Sequence, residues 1–153
     1  MGGIEMKEHK HLGCYGLVVK DDKILLIKKK TGPYGGLLDL PGGSFEFGET
    51  PEETLKREML EETGLEITKY QLFDASSVVV EWKYDDNTNI LVHHVGIFYQ
   101  ILEYQNEIRK DISIDNQNDD SLGAEFYEIK NLKKEDVSAI ALMELEKLGY
   151  SLS

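Results

Sequence analysis

Three glutamates, Glu58, Glu61 and Glu62, follow one another at spacings that bring them to the same side of a helix. Carboxylates so placed repel one another. One of them sitting level with an apolar seam is costly unless a cation meets it. Carboxylate oxygens gathered on a rigid face are what a hard divalent cation prefers, so the pattern points to Mg2+ or Mn2+. A solvated acidic face braced by pairs such as Glu53–Arg57 would account for the charge run alone. It would not account for the glycines that precede the run, Gly42-Gly43, which let backbone approach a ligand closely.

The elements that must position these groups can be read next. Thr50, Pro51 and Glu53 form a capping box with proline at the first helical position, and Gly64 supplies a stop. The helix is therefore expected from about Pro51 to Thr63. Leu55 and Met59 mark its apolar edge, and Glu62 falls about 60° from Met59, nearly level with Leu55. Leu38-Asp39-Leu40 reads as a short strand that Pro41-Gly42-Gly43 breaks.

Taken together, Gly43, Glu49, Arg57-Glu58, Glu61-Glu62 and Gly64, with Met59 and Leu65, match the pattern G-x5-E-x7-R-E-U-x-E-E-x-G-U, where U is bulky and aliphatic. Seven such positions at frequencies of about 7% would coincide at about one start in 10^8. The chain resembles the Nudix hydrolases over this box and its Leu40-Pro41-Gly42-Gly43 lead-in. The resemblance implies an α/β/α sandwich with a mixed sheet, and metal-assisted attack of water on a nucleoside diphosphate linked to X. It implies metal ligation by the Gly42 carbonyl, with Glu61 and Glu62 as principal ligands and Glu58 as a further ligand or general base. Arg57 and Glu49 would orient loop and helix by pairing. Glu125, Asp119 or Asp120 could add an acid from the late region.

The remaining chain supplies an order of elements. His11–Lys20 and Lys23–Lys29 read as a hairpin around Asp21-Asp22, and Leu72–Tyr84 with Ile90–Leu102 as a longer one around Asp85–Asn89. Asp115–Ser121 reads as a loop and Ala124–Ile129 as a strand. Asp136–Leu148 has helical spacing in Ile140, Leu142, Met143 and Leu145, with Gly149 as a stop. The two helices would lie on opposite faces of the sheet. Residues 1–153 are expected to form one domain, with about 1–10 as a flexible tail.

Composition fits a small enzyme. The 153 residues suffice for a core without staples, and the formal charge of −12 argues against polymeric nucleic acid. A small nucleotide remains compatible, since metals carry the compensating charge. The single Cys14 lies in an apolar run and reads as a buried strand thiol. The opening MGGIEMKEHK lacks an apolar signal region, and no stretch is long and apolar enough to span a bilayer. A cytoplasmic monomer or homodimer is expected.

For substrate contacts the candidates are Gly42 and Gly43, Lys28 and Lys30 in the only basic run, and Tyr34 and Phe45 flanking the glycine loop. Trp82, Phe126 and Tyr127 in strands could add stacking surface. His9, His11, His93 and His94 lack metal-site spacing and are read as structural. The chain lacks the proline of ADP-ribose-cleaving Nudix members beyond the box, and no coenzyme A signature precedes Leu40. Elimination leaves a nucleoside triphosphate, an oxidised purine form included, cut to monophosphate and pyrophosphate. The alternatives are ADP-ribose, a non-nucleotide pyrophosphate, or a non-catalytic nucleotide-sensing module on the same fold.

Overall fold

In the computed structural model, which describes residues 3–109 and 121–153, two four-stranded sheets are built from eight strands. The elements are β1 (Glu5–Leu17), β2 (Val19–Lys20), β3 (Lys23–Lys29), β4 (Leu38–Asp39), β5 (Gly42–Ser44), α1 (Pro51–Thr63), β6 (Glu66–Asp85), β7 (Thr88–Gln105), β8 (Ser121–Glu128) and α2 (Ala139–Lys147). The first sheet runs β5-β1-β7-β6, with β1 and β7 parallel and the other pairs antiparallel. In the second, β8 runs along β3 while β2 and β4 pair with its two ends.

The helix α1 has the expected ends. Thr50 Oγ1 accepts from the Glu53 amide, Glu53 reaches back to the Thr50 amide, and Gly64 closes the helix at φ 81°. The run Ile24–Ile27 is buried on both sides, which explains its unbroken apolar sequence. Ile24 and Leu26 join a cluster with Ile140, Ala141 and Leu145 of α2. Leu25 and Ile27 join another with Leu55 and Met59 of α1. The helices thus cover opposite faces, and the architecture is the α/β/α sandwich.

Three expectations need correction. Residues 1–10 are not a tail throughout, because β1 begins at Glu5 and pairs in parallel with β7 from Thr88 onward. Its polar residues had hidden the strand; both faces of this extension are exposed or line a cleft rather than a core. The hairpin around Asp21-Asp22 is confined to β2 and β3, because the chain changes sheets after Leu17. Asp21 and Asp22 both have positive φ, 53° and 60°, as such a tight turn demands. The last helix begins at Ala139, capped by Ser138, with a 3-10 turn at Lys134–Asp136 before it. The candidate loop acids Asp119 and Asp120 lie outside the described residues.

Candidate active site

Strand β5 brings the glycines against α1. Gly42 has φ 142°, and a Cβ there would run into the Cys14 carbonyl oxygen of β1. A Cβ at Gly43 would lie 2.8 Å from the Glu58 carboxylate. Glycine is required at both positions for strand, neighbour and helix to close up. Cys14 itself is buried, donates to the Pro51 carbonyl at 3.3 Å and has its thiol pushed up to about 12 by burial, which makes it inert.

Arg57 holds the carboxylate region together. Its Nε and Nη2 donate to the two oxygens of Glu49 at 2.8 and 2.9 Å, and Nη2 also reaches the Ser44 carbonyl at 3.0 Å. Nη1 donates to Glu58 at 2.8 Å and to Glu61 at 3.3 Å. One guanidinium therefore ties β5, the loop and the Arg57–Glu61 turn of α1 into one rigid unit. Arg57 is the largest cause that holds the Glu49 carboxyl down to about 2; the Glu46 amide and the Thr54 hydroxyl, both donating to it, add to the effect. Glu58 goes the other way: burial raises its pKa, against the opposing pull of Arg57 and a hydrogen bond with Glu62.

Glu58 and Glu62 open onto a cavity of about 890 Å3, and Gly42 and Gly43 form part of the same wall. Glu61 does not line it; its side chain is 45% exposed and turned to Arg57. Glu58 and Glu62, rather than Glu61 and Glu62, are the carboxylates that face the cavity, because they stand one helical turn apart on the sheet-facing side. Among the described residues no group of three or more His, Cys, Asp or Glu side chains is gathered to hold a metal ion unaided. Two adjacent, largely buried carboxylates beside glycine backbone do suit a hard cation, which would relieve their mutual repulsion.

The cavity floor is aromatic. Tyr15 Oη lies 2.6 Å from His94 Nε2, Tyr34 Oη lies 2.9 Å from His94 Nδ1, and His11 Nε2 lies 3.1 Å from Tyr15 Oη. Burial, helped by His11 and Lys29, lowers His94 to about 3, so the ring is neutral and has one donor and one acceptor for its two tyrosines. Burial likewise raises both tyrosine hydroxyls above their ordinary value, and Tyr34 stacks on His94 at 5.6 Å. Sequence reasoning missed this floor by treating the histidines as structural. The usable signal was alternation: Lys7, His9 and His11 on β1, and Ile90, Val92 and His94 on β7, all face the cavity. His93 is exposed on the other side.

Tyr34, Trp82 and the two glycines line the cavity, and the other candidates do not. Lys28 and Lys30 are exposed outside the cavity, and Lys29 between them lines it, because neighbours on a strand alternate. Phe45 packs on the α1 cluster, as does Phe126, whereas Tyr127 packs on the α2 cluster. Glu125 is exposed on β8 and outside the cavity lining.

The family model for the NUDIX domain matches residues 7–146. The chain belongs to the Nudix family of hydrolases. It is 34% identical over 126 residues to an ADP-ribose pyrophosphatase of Methanocaldococcus jannaschii, a match covering 82% of this chain and 66% of that relative. It is 28% identical to an 8-oxo-dGTP diphosphatase of Proteus vulgaris, over 67% of this chain and 84% of the relative. A MutT Nudix hydrolase from Burkholderia pseudomallei shares the fold at TM-score 0.74 and 24% identity, covering 92% of this chain and 98% of its own. The family generally uses divalent metals. Among the described residues no helix is long and apolar enough to cross a membrane.

Proposed function

We propose that this Nudix chain, as one domain, is a pyrophosphohydrolase that cleaves the diphosphate of a nucleoside diphosphate linked to X, with Mg2+ or Mn2+. The observation that carries the reading is the arrangement of Glu58 and Glu62 on a cavity wall beside Gly42 and Gly43, locked by the Arg57–Glu49 pair. Glu62 and the Gly42 carbonyl would hold the cation, with Glu61 one step outward and Glu58 beside them as the general base. When bound, the metal neutralises diphosphate oxygens and lowers the pKa of the attacking water. Glu58, kept basic enough by burial, takes the proton from that water. Arg57 and Glu49 fix the carboxylates to within the fraction of an ångström that such chemistry demands. Lys29 answers substrate charge from the cavity side.

The names of the relatives divide over substrate. The absent proline favours a nucleoside triphosphate, cut between the α and β phosphorus to release pyrophosphate. A second reading, a nucleoside diphosphate joined to a bulky group as in ADP-ribose, is supported by a cavity that extends well beyond the carboxylates. We further expect a cytoplasmic monomer or homodimer without membrane or polymeric nucleic acid partners. The deciding experiment is a screen of purified protein with Mg2+ or Mn2+ against triphosphates, oxidised purine triphosphates, ADP-ribose, dinucleotides and non-nucleotide pyrophosphates. Heavy-oxygen water read by mass spectrometry identifies the phosphorus attacked. No cleavage of any diphosphate would sink the proposal in favour of a nucleotide-sensing module.

A further inference from the structure

The polar side chains of the cavity floor form one hydrogen-bonded line, from Tyr34 through His94 and Tyr15 to His11, and the chemistry above makes no use of its outer end. Proton supply fixes the direction of each bond. Tyr34 is buried, and among the described residues its hydroxyl has one partner, His94 Nδ1. Were that nitrogen the donor, the Tyr34 hydroxyl hydrogen would be buried without an acceptor, so Tyr34 donates and His94 accepts. A neutral His94 then carries its proton on Nε2 and donates it to Tyr15 Oη. Tyr15 accepts from His94 and has one hydrogen left to give, and His11 Nε2 is its remaining partner.

The last link decides what the line presents to a ligand. His11 accepts at Nε2, so its own proton sits on Nδ1. Burial first, then the nearby His9 and Lys29, lower the pKa of His11, which agrees with a neutral ring. The Nδ1–H faces Ser44 Oγ at 3.5 Å, too far for that hydroxyl to hold it firmly, and Ser44 is exposed on the cavity wall. Ser44 follows Gly43, whose Cα backs on the Glu58 carboxylate, so the donor and Glu58 belong to one stretch of wall. Lys29 lines the same cavity, and its charge acts on both His11 and His94. A fixed N–H, a rotatable hydroxyl and a lysine make a place for an anion beside the acidic place for a cation.

We infer that His11 is a substrate-contacting residue, whose Nδ1–H donates to an oxygen of the phosphate group that lies next to Ser44. Tyr34, His94 and Tyr15 are its positioning residues, because together they hold the His11 proton on the nitrogen that faces the cavity. The inference deepens the proposed hydrolysis and rests on its placement of the diphosphate at Glu58 and Glu62. An imidazole in water moves its proton between both nitrogens. A line anchored at the buried Tyr34 cannot reverse without stranding the Tyr34 hydrogen, so the donor stands ready before the ligand arrives. Such a contact reads the presence of a phosphate and is indifferent to the base.

Nitrogen NMR of the full chain, labelled at histidine, reads both the tautomer and the contact. His11 should be the Nδ1–H tautomer in the ligand-free protein, and Tyr15→Phe should release part of the population to Nε2–H. With Mg2+ present, α,β-methylene-ADP, whose bridge water cannot cleave, should shift the His11 Nδ1 resonance saturably, and adenosine should not. On whichever diphosphate the protein cleaves, His11→Ala should raise KM about 10- to 150-fold, the range for a hydrogen bond to a charged group, with kcat within about threefold. His11→Asn, whose amide reaches the Nδ1 position, should recover most of that loss. An Nε2–H tautomer in the free protein, equal shifts from the methylene analogue and from adenosine, or an unchanged KM in His11→Ala would overturn the contact. A shift by the analogue alone, without cleavage of any diphosphate, would instead overturn the proposed hydrolysis and leave the contact standing.

Discussion

Each of the two helices buries one glutamate against the sheet, and the two glutamates have opposite surroundings. Glu62 of α1 is 6% exposed and Glu144 of α2 is 0% exposed. Glu62 opens onto a cavity and shares it with Glu58 and glycine backbone. Glu144 does not line that cavity; Lys147 lies 4.0 Å away and is itself engaged with Asp74 at 2.6 Å. Burial first, and the nearby Asp74 carboxylate second, push Glu144 up to about 8, so it is largely protonated at neutral pH. A buried acid is therefore not by itself the mark of a site. What distinguishes Glu62 is company that can be used: open volume, a second carboxylate and backbone that can approach.

The sharpest test of this contrast is turnover. Glu58→Gln and Glu62→Gln should each lower kcat by about 100-fold or more while melting as the native protein does, because the amide keeps shape and loses the charge. Glu144→Gln should leave kcat within about twofold, the ordinary result for a site remote from the chemistry. Equal losses in the two helices would erase the distinction. Glu61→Gln should fall between, since its carboxylate faces Arg57 and solvent.

Metal stability sharpens it further. At 100 times its dissociation constant, Mn2+ should stabilise the fold by about 2.7 kcal/mol, several degrees in Tm for a domain of this size. Glu62→Gln should abolish the gain and Glu144→Gln should keep it. Identical melts of the native protein in Mn2+ and EDTA would mean that α1 carries no metal site.

A smaller effect follows from pH. Glu144 titrates near its ordinary value when unfolded and at about 8 when folded, so between these limits the folded chain binds a proton that the unfolded chain lacks. Stability should therefore fall as pH rises from about 4.5 to about 8, and level off above that. Glu144→Gln should flatten this portion of the stability curve and raise Tm at pH 8; an unchanged curve would refute the protonated state. Smallest of all, Lys147→Met removes a partly exposed ion pair with Asp74 and should cost less than about 1 kcal/mol in denaturant unfolding.

The parts legible in the sequence were those decided by near neighbours. The capping residues Thr50 and Glu53 and the stop at Gly64 located α1 to the residue. The apolar run Ile24–Ile27 located the central strand. Illegible were the parts decided by register between distant segments. Met6–Lys10 is polar on both sides, and only its pairing with Asn89–His93 shows it to be strand. Which lysine of Lys28–Lys30 turns inward depends on where β3 ends, and Phe45 faces α1 because β5 pairs with β1. The tyrosine–histidine floor joins Tyr15, Tyr34 and His94 from three separate segments, so no local pattern announces it.

The parallel pairing of β1 with β7 also bears on the order of assembly. β1 leaves a synthesising ribosome first, yet its partners lie in Thr88–Gln100. Until those residues appear, Cys14 and its apolar neighbours have only the short β5 to pair with. Pairings of such long sequence separation form slowly, since loop closure must be met before any contact rewards it. The β6–β7 hairpin, closed by a two-residue turn at Asp86-Asn87, can zip first and serve as the template on which β1 docks. In such a sequence the aromatic floor, which needs Tyr15 beside His94, would be among the last features to form, so a nascent chain would acquire its helix well before it acquired its cavity.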